Sequence, residues 1–206
     1  MKVCRIFAGG VIPETSFIYV NKDDLVICAD SGLKYALQLG ISPDIVVGDF
    51  DSYSGQLPEN TELHVSRPEK DDTDTMLAVK IAIDRGAKKI FLYGGLGARF
   101  DHSMANIQTL IYAREHGCEM IIDDTYNEIS LQGEERKTYH RREEWYFSIF
   151  ALTDEVEINY LTGVKYPLEN HKITRSFPIG VSNEITGERA VLDIKSGLAL
   201  VIRAGK

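Results

Sequence analysis

The sequence predicts an α/β N-terminal domain with a mainly parallel, Rossmann-like sheet over residues 1–123, followed by a smaller all-β sandwich domain over residues 128–206. Three observations carry that expectation. As far as residue 122, short β-branched runs alternate with apolar residues at helical spacing, and repeated units of this kind imply a parallel sheet with helices on its faces. Beyond residue 123 no helical spacing recurs, and short alternating runs follow one another between turn residues. The stretch Asp123-Asp124-Thr125-Tyr126-Asn127 separates the two patterns, short and polar as a hinge would be.

Taken in order, residues 3–7 read as a strand ending at Gly9-Gly10, and residues 25–29 as a second ending at Asp30-Ser31-Gly32. Leu33, Ala36, Leu37 and Leu39 keep helical spacing until Gly40, a residue suited to a helix C-terminus. A strand over Ile45, Val46 and Val47 runs into Gly48-Asp49-Phe50-Asp51-Ser52, and a short strand follows near residues 63–65. Met76, Val79, Lys80 and Ile83 lie on successive turns of the next helix, with Leu77 and Ile81 widening its buried face. Residues 88–93 form a strand, 94–100 a glycine-rich loop, 101–116 a helix stopped by Gly117, and 119–122 a strand. In the second half, strands are expected at 128–132, 145–152, 155–160, 172–177, 190–194 and 198–202, with the charged stretch 134–144 an exposed hairpin or loop.

With 206 residues, 44% hydrophobic and 26% charged, the chain has the composition of an ordinary globular protein and can bury a sizeable core. Its net charge of -8 argues against a general nucleic-acid or anionic-membrane surface, which would need a basic excess. A phosphate-bearing ligand would therefore depend on local glycine amides, local basic residues or a metal. No apolar run approaches the roughly 20 residues that span a bilayer, and the first residues lack a signal peptide's pattern. The expected location is cytoplasmic. Cys4, Cys28 and Cys118 each sit in an apolar stretch, which suits buried reduced thiols better than a disulfide or zinc framework.

The chemistry gathers where strands end. Asp49 and Asp51 leave a strand on the same face, because side chains alternate along it, and two like charges so close favour a hard cation between them. The same residues also fit a solvated turn. Asp71 and Asp74 open a helix, where they either cap it or join Asp49 and Asp51 in a carboxylate cluster suited to Mg²⁺. Lys70 is either solvated or placed to meet a phosphate. Gly94, Gly95 and Gly97 precede Arg99 and a helix N-terminus, an arrangement that offers amides and a bidentate cation to phosphate. Asp101 is a capping candidate for that helix, and His102 reads more simply as a surface residue. In an open α/β sheet, ligands bind outside the carboxyl ends of the strands, where Gly9-Gly10, Asp30, Asp49, Asp51 and residues 94–99 would meet.

Ala29-Asp30-Ser31-Gly32, Pro43-Asp44 through Gly48-Asp49-Phe50-Asp51-Ser52, Lys70-Asp71-Asp72-Thr73-Asp74 and Gly94-Gly95-Leu96-Gly97-Ala98-Arg99-Phe100-Asp101-His102 resemble, in order and spacing, the motifs of the thiamine pyrophosphokinase family. Gly163-Val164-Lys165-Tyr166-Pro167-Leu168 and Gly180-Val181-Ser182-Asn183-Glu184 resemble that family's thiamine-binding domain, so the likeness covers nearly the whole chain. Ser31 stands where many members have glycine, and Tyr166 where animal and fungal members have tryptophan. The resemblance implies transfer of diphosphate from ATP, the co-substrate, to the hydroxyl of thiamine, giving thiamine diphosphate and AMP, with Mg²⁺ required. It assigns Asp49, Asp51 and Asp74 to the metal, with Asp71 and Asp30 as further ligands or orienters of the alcohol. Asp71 is the choice for general base. Arg99, Lys70 and the amides of Gly94, Gly95 and Gly97 would hold the triphosphate beside Asp101, and Ser182, Asn183 and Tyr166 would meet thiamine. It also implies a homodimer with shared active sites.

Two other classes fit part of the pattern. A nucleotide-sugar glycosyltransferase also holds a metal on Asp-x-Asp but leaves the second-half motifs unexplained, and a noncatalytic nucleotide sensor would bind ATP without turnover. A dehalogenase-like phosphatase places its Asp-x-Asp after the first strand, whereas two strands precede it here.

Overall fold

The computed structural model describes residues 1–11, 18–49, 59, 61–65 and 72–206. Its strands fall into a mixed sheet of ten and an all-antiparallel sheet of four, and the chain divides into two compact units, Met1–Thr125 and Tyr126–Lys206.

The first unit holds β1 (Val3–Phe7), β2 (Leu25–Ala29), α1 (Gly32–Gln38), β3 (Ile45–Gly48), β4 (Glu62–Val65), α2 (Asp74–Asp84), β5 (Lys89–Tyr93), α3 (Phe100–Glu115) and β6 (Glu119–Asp123). Their strands lie in the order β6-β5-β1-β2-β3-β4, each neighbouring pair parallel. β1, β2 and β3 are buried almost throughout, which is why they read as continuous apolar runs and show no alternation. β4 is the exposed edge. α2 packs on β1, β2 and β3 and touches α3, and Ala78, Val79, Ile81 and Ala82 form its buried face. Gly40 and Gly117 both take positive φ just past α1 and α3, where an L-residue would be strained.

An ion pair lies inside this unit. Arg5 of β1 is buried, stacks over the Phe91 ring at 4.1 Å, and donates to Asp24 at 2.8 Å and to the Tyr93 hydroxyl at 3.0 Å. A buried guanidinium is tolerable only when paired and hydrogen-bonded in this way. Burial also pushes the Cys28 thiol up to about 12 and raises Cys4, so both behave as small apolar residues.

The second unit holds β7 (Asn127–Gln132), β8 (Arg136–His140), β9 (Trp145–Ala151), β10 (Glu155–Thr162), β11 (Leu168–Thr174), β12 (Asn183–Glu184), β13 (Arg189–Ser196) and β14 (Ala199–Gly205). Two antiparallel sets, β12-β9-β14-β7 and β11-β10-β13-β8, enclose a core that includes Tyr139, Phe147, Val156, Ile158, Leu161, Ile173 and Leu192.

This architecture corrects the expected fold class. Of the described residues 43% are strand and only 18% helix, and the large sheet is mixed, since β7, β9, β12 and β14 pair antiparallel within it. A Rossmann-like parallel sheet is therefore not what forms. The physical reason is that alternation and β-branching report local strand character, whereas sheet membership is decided by long-range pairing. A second correction concerns residues 134–144, expected as an exposed hairpin or loop. They include β8, whose Tyr139 is buried and donates its hydroxyl to Gln132 at 2.9 Å, while charged neighbours face outward. The strand expected at 172–177 begins earlier, at Leu168, where it pairs with Leu161 of β10. Among the described residues, no helix is long and apolar enough to cross a membrane.

Candidate active site

In the first unit a cavity of about 430 Å³ opens at the carboxyl ends of β1, β2 and β5. Two loops build its floor. The chain leaving β1 runs beside the chain leaving β5: Ala8 donates its N–H to the Tyr93 carbonyl at 2.8 Å, Gly10 to Gly94 at 2.9 Å and Val11 to Leu96 at 2.7 Å. A Cβ on Gly10 would lie 2.1 Å from the Leu96 oxygen and 2.5 Å from the Gly94 oxygen, so only glycine permits this approach. From α3, buried Asn106 donates to the Gly95 carbonyl at 2.6 Å, and Ser103 accepts weakly from the Gly97 N–H at 3.4 Å. Asp30 enters from the end of β2 with φ of +50°, a left-handed conformation that Asp tolerates better than most residues. Asp74 enters from the first turn of α2, whose N-cap is Thr73, accepting from the Met76 N–H at 3.1 Å. Arg99 stands at the rim, its Nη2 2.7 Å from Asp101, and that pairing holds the Asp101 carboxyl below its usual range.

The second unit has a pocket of different material, about 360 Å³ and lined by Phe147, Ile158, Leu161, Leu168, Ile173 and Val181, with Tyr166 and Asn183 among its polar-tipped walls. Asn183 is buried, and its amide is engaged with the Tyr166 backbone on both sides, accepting from N–H at 3.0 Å and donating to C=O at 2.8 Å. Ser182 beside it is exposed, has φ of +60°, and donates its N–H to Ser148 Oγ at 3.0 Å. Tyr166 is 59% exposed, with the Lys165 ammonium 5.6 Å from its ring centroid.

Comparison with known proteins decides the family. The family described as "Thiamin pyrophosphokinase, catalytic domain" matches residues 18–122, and "Thiamin pyrophosphokinase, vitamin B1 binding domain" matches residues 129–199. The chain belongs to the thiamin pyrophosphokinase family. A thiamine pyrophosphokinase of Bacillus subtilis is 32% identical over 99% of both chains. The crystal structure of thiamine pyrophosphokinase from Bacillus subtilis superposes with a TM-score of 0.91 over the whole of each chain at 28% identity. That from Geobacillus thermodenitrificans gives 0.86 at 26% identity, covering 99% of this chain and 98% of that one.

Within this thiamin pyrophosphokinase chain, the first cavity gathers Asp30, Asp74, Gly94, Gly95, Gly97 and Arg99. Asp49 is exposed at the end of β3 and does not line it. Asp101 faces Arg99 and accepts the His102 N–H at 3.0 Å. Asp51, Lys70 and Asp71 lie outside the described residues. Tyr166 and Asn183 line the second pocket, with Ser182 next to Asn183 in sequence. His102, read above as a surface residue, is exposed yet lines the first cavity. Sequence reasoning placed Gly9-Gly10 at the ligand edge of the sheet but did not see the backbone crossing it makes, and gave no role to Asn106. A glycine pair is a weak signal for a close backbone crossing, and an Asn inside a helix carries none until its neighbour across the turn is known.

Proposed function

We infer that this chain transfers diphosphate from ATP to the hydroxyl of thiamine, forming thiamine diphosphate and AMP. The observation that carries the reading is family membership over both units, joined to a glycine-walled cavity in the first of them. Phosphoryl-type transfer asks the protein mainly to position the reactants and to stabilise spreading charge. The amides of residues 94–97 and the Arg99 guanidinium are suited to the triphosphate, and Lys70 is assigned to it as a further cation. Releasing Arg99 from Asp101 toward phosphate exchanges one anionic partner for another, so Asp101 keeps the guanidinium oriented until ATP arrives.

Among the described residues, no group of three or more His, Cys, Asp or Glu side chains is placed to hold a metal. Asp30 and Asp74 do bring carboxylates from two separate elements to one cavity, and an all-oxygen donor set of this kind suits Mg²⁺. We assign the ion to Asp49, Asp51 and Asp74, with Asp71 and Asp30 alongside, where it would offset the charge of the transferred group. Asp71 is the proposed general base for the thiamine hydroxyl. In the second unit, the exposed Tyr166 ring offers a π face to a cationic heterocycle, and the Ser182 hydroxyl a polar contact. The working assembly is a homodimer with shared sites; exposed Tyr166, Phe177, Ile179 and Val181 supply apolar surface for it. Buried free Cys4, Cys28 and Cys118 suit a reducing, cytoplasmic setting.

Incubation with ATP, Mg²⁺ and thiamine should yield AMP and thiamine diphosphate in equal amounts. ADP with thiamine monophosphate would overturn the assignment. Mixing Asp51→Asn with Ser182→Ala should restore activity by subunit exchange, because one of the two shared sites then has both halves intact. Verified exchange without recovery rules out shared sites.

A further inference from the structure

We propose that Asn183 is a positioning residue, whose side-chain amide replaces a peptide group in a backbone ladder and so presets Tyr166 as the face on which thiamine stacks. The inference rests on the reading of Tyr166 as that stacking surface.

Residues 163–166 run antiparallel to residues 183–186. Val164 bridges Ile185, Lys165 donates its N–H to the Glu184 carbonyl at 2.8 Å, and Thr186 donates to the Gly163 carbonyl at 3.0 Å. At Tyr166 the ladder continues by a different means. The Tyr166 N–H donates to Asn183 Oδ1 at 3.0 Å, and Asn183 Nδ2 returns a bond to the Tyr166 carbonyl at 2.8 Å. A primary amide carries the same donor and acceptor pair as a peptide group, so it closes both halves of the rung. The same Oδ1 also accepts the Glu184 N–H at 2.9 Å, which fixes the side chain's rotation. On its other edge the Asn183 backbone pairs with Phe147 of β9. The clamp is therefore anchored in the sheet.

The contrast in exposure gives the arrangement its meaning. Asn183 is 8% exposed and Tyr166 is 59% exposed. Both acceptor positions of the Asn183 amide oxygen are filled and one of its two N–H groups is committed to Tyr166, which leaves a single N–H for any contact with a substrate. The Tyr166 ring, by contrast, is held by its own backbone while staying open. Pro167 adds to this by excluding helical conformations at the residue before it. A ring ordered before binding loses less freedom when a ligand settles on it.

The test is a cycle of Asn183→Asp and Tyr166→Ala, singly and together, measured as KM for thiamine, KM for ATP and kcat. Thiamine is compared with an analogue lacking the pyrimidine amino group, and Tm reports on folding. Asp keeps the acceptor but sets a carboxylate oxygen against the Tyr166 carbonyl. Tyr166→Ala should raise the thiamine KM roughly tenfold. Asn183→Asp should raise it by a smaller factor, the same for thiamine and the analogue, with the ATP KM unchanged. The double variant should be no worse than Tyr166→Ala alone. If Asn183→Asp does not fold, Asn183→Ser takes its place in the cycle. Factors that multiply, or an Asn183 effect that vanishes on the analogue, would mean that Asn183 reads the substrate itself and overturn the proposal. A Tyr166 effect with no Asn183 effect overturns the clamp alone. An unchanged thiamine KM in Tyr166→Ala overturns both the clamp and the stacking surface beneath it, while leaving the product assay untouched.

Discussion

The cavity of Met1–Thr125 is walled largely by backbone, with glycine loops, a helix N-terminus and carboxylates at its edge, whereas the pocket of Tyr126–Lys206 is walled by side chains, nearly all apolar. The difference suits what each is proposed to recognise. Phosphate oxygens are met by amides at fixed spacing, which requires that no Cβ intervene, while a heterocycle is met by surface and by one ordered ring. Each nonetheless relies on a buried asparagine bonded to a main-chain carbonyl, Asn106 to Gly95 in one and Asn183 to Tyr166 in the other. An amide side chain is a convenient means of fixing a segment that has no strand partner at that point.

The sharpest test of this contrast is a single methyl group. Gly10→Ala places its Cβ against two carbonyl oxygens that cannot rotate away, so the loops must separate. A displacement on that scale should lower turnover about a hundredfold. Gly187→Ala, with open space around it in the second unit, should leave kcat and both KM values unchanged in the same assay. Equal losses in the two variants would show that the glycine wall has no special standing.

A smaller effect is expected from Asn106→Ala. The Gly95 carbonyl loses a buried donor, and a bond left unmade there should raise the KM for ATP roughly tenfold with little change for thiamine. Initial-rate measurements with each substrate varied in turn would check it. A change confined to thiamine would transfer Asn106 from the phosphate loop to the acceptor side of the reaction.

The smallest effect lies on the outer face of the second unit, where Lys172 and Lys195 bracket Glu157 and hold its carboxyl at about 2 against an ordinary 4.5. Because the folded value is depressed, the stabilisation is present above about 4.5 and is lost as pH falls toward 2. The ion pairs are near the surface, so Glu157→Gln should barely alter Tm at neutral pH. It should flatten the acid-side decline, followed as Tm against pH. An unchanged decline would place the acid sensitivity elsewhere.

The elements themselves were legible where residues were apolar for a single reason. β1, β2 and β3 are buried on both faces, so their composition announces them, and Gly40 and Gly117 mark helix ends through the φ they alone adopt easily. Sheet membership was not legible, because Asn127–Gln132 and Ala199–Gly205 carry the same alternation whichever sheet they enter. β8 was hidden because only Tyr139 of its five residues is buried, leaving a charged string in the sequence. At the candidate site, Asp30, Asp74 and Arg99 were visible by residue type. Gly9-Gly10 was placed at the ligand edge by its position after the first strand, but its crossing with the β5 loop, like the role of Asn106, depends on a neighbour from another loop.

The crossing of the β1 and β5 loops also bears on how the protein is made. Gly10 leaves the ribosome early and has no binding function until Gly94 and Leu96 arrive to accept its amide and that of Val11. Those partners come from β5, which takes its place directly beside β1 although β2, β3 and β4 are synthesised in between. A nascent chain therefore cannot complete the glycine floor until the strand next to its first one has emerged and inserted, a non-local pairing that is slow by nature. If this cavity holds ATP as proposed, nucleotide binding waits on β5 and the loop after it, and a chain truncated before residue 94 would present Gly9-Gly10 as an ordinary loose turn.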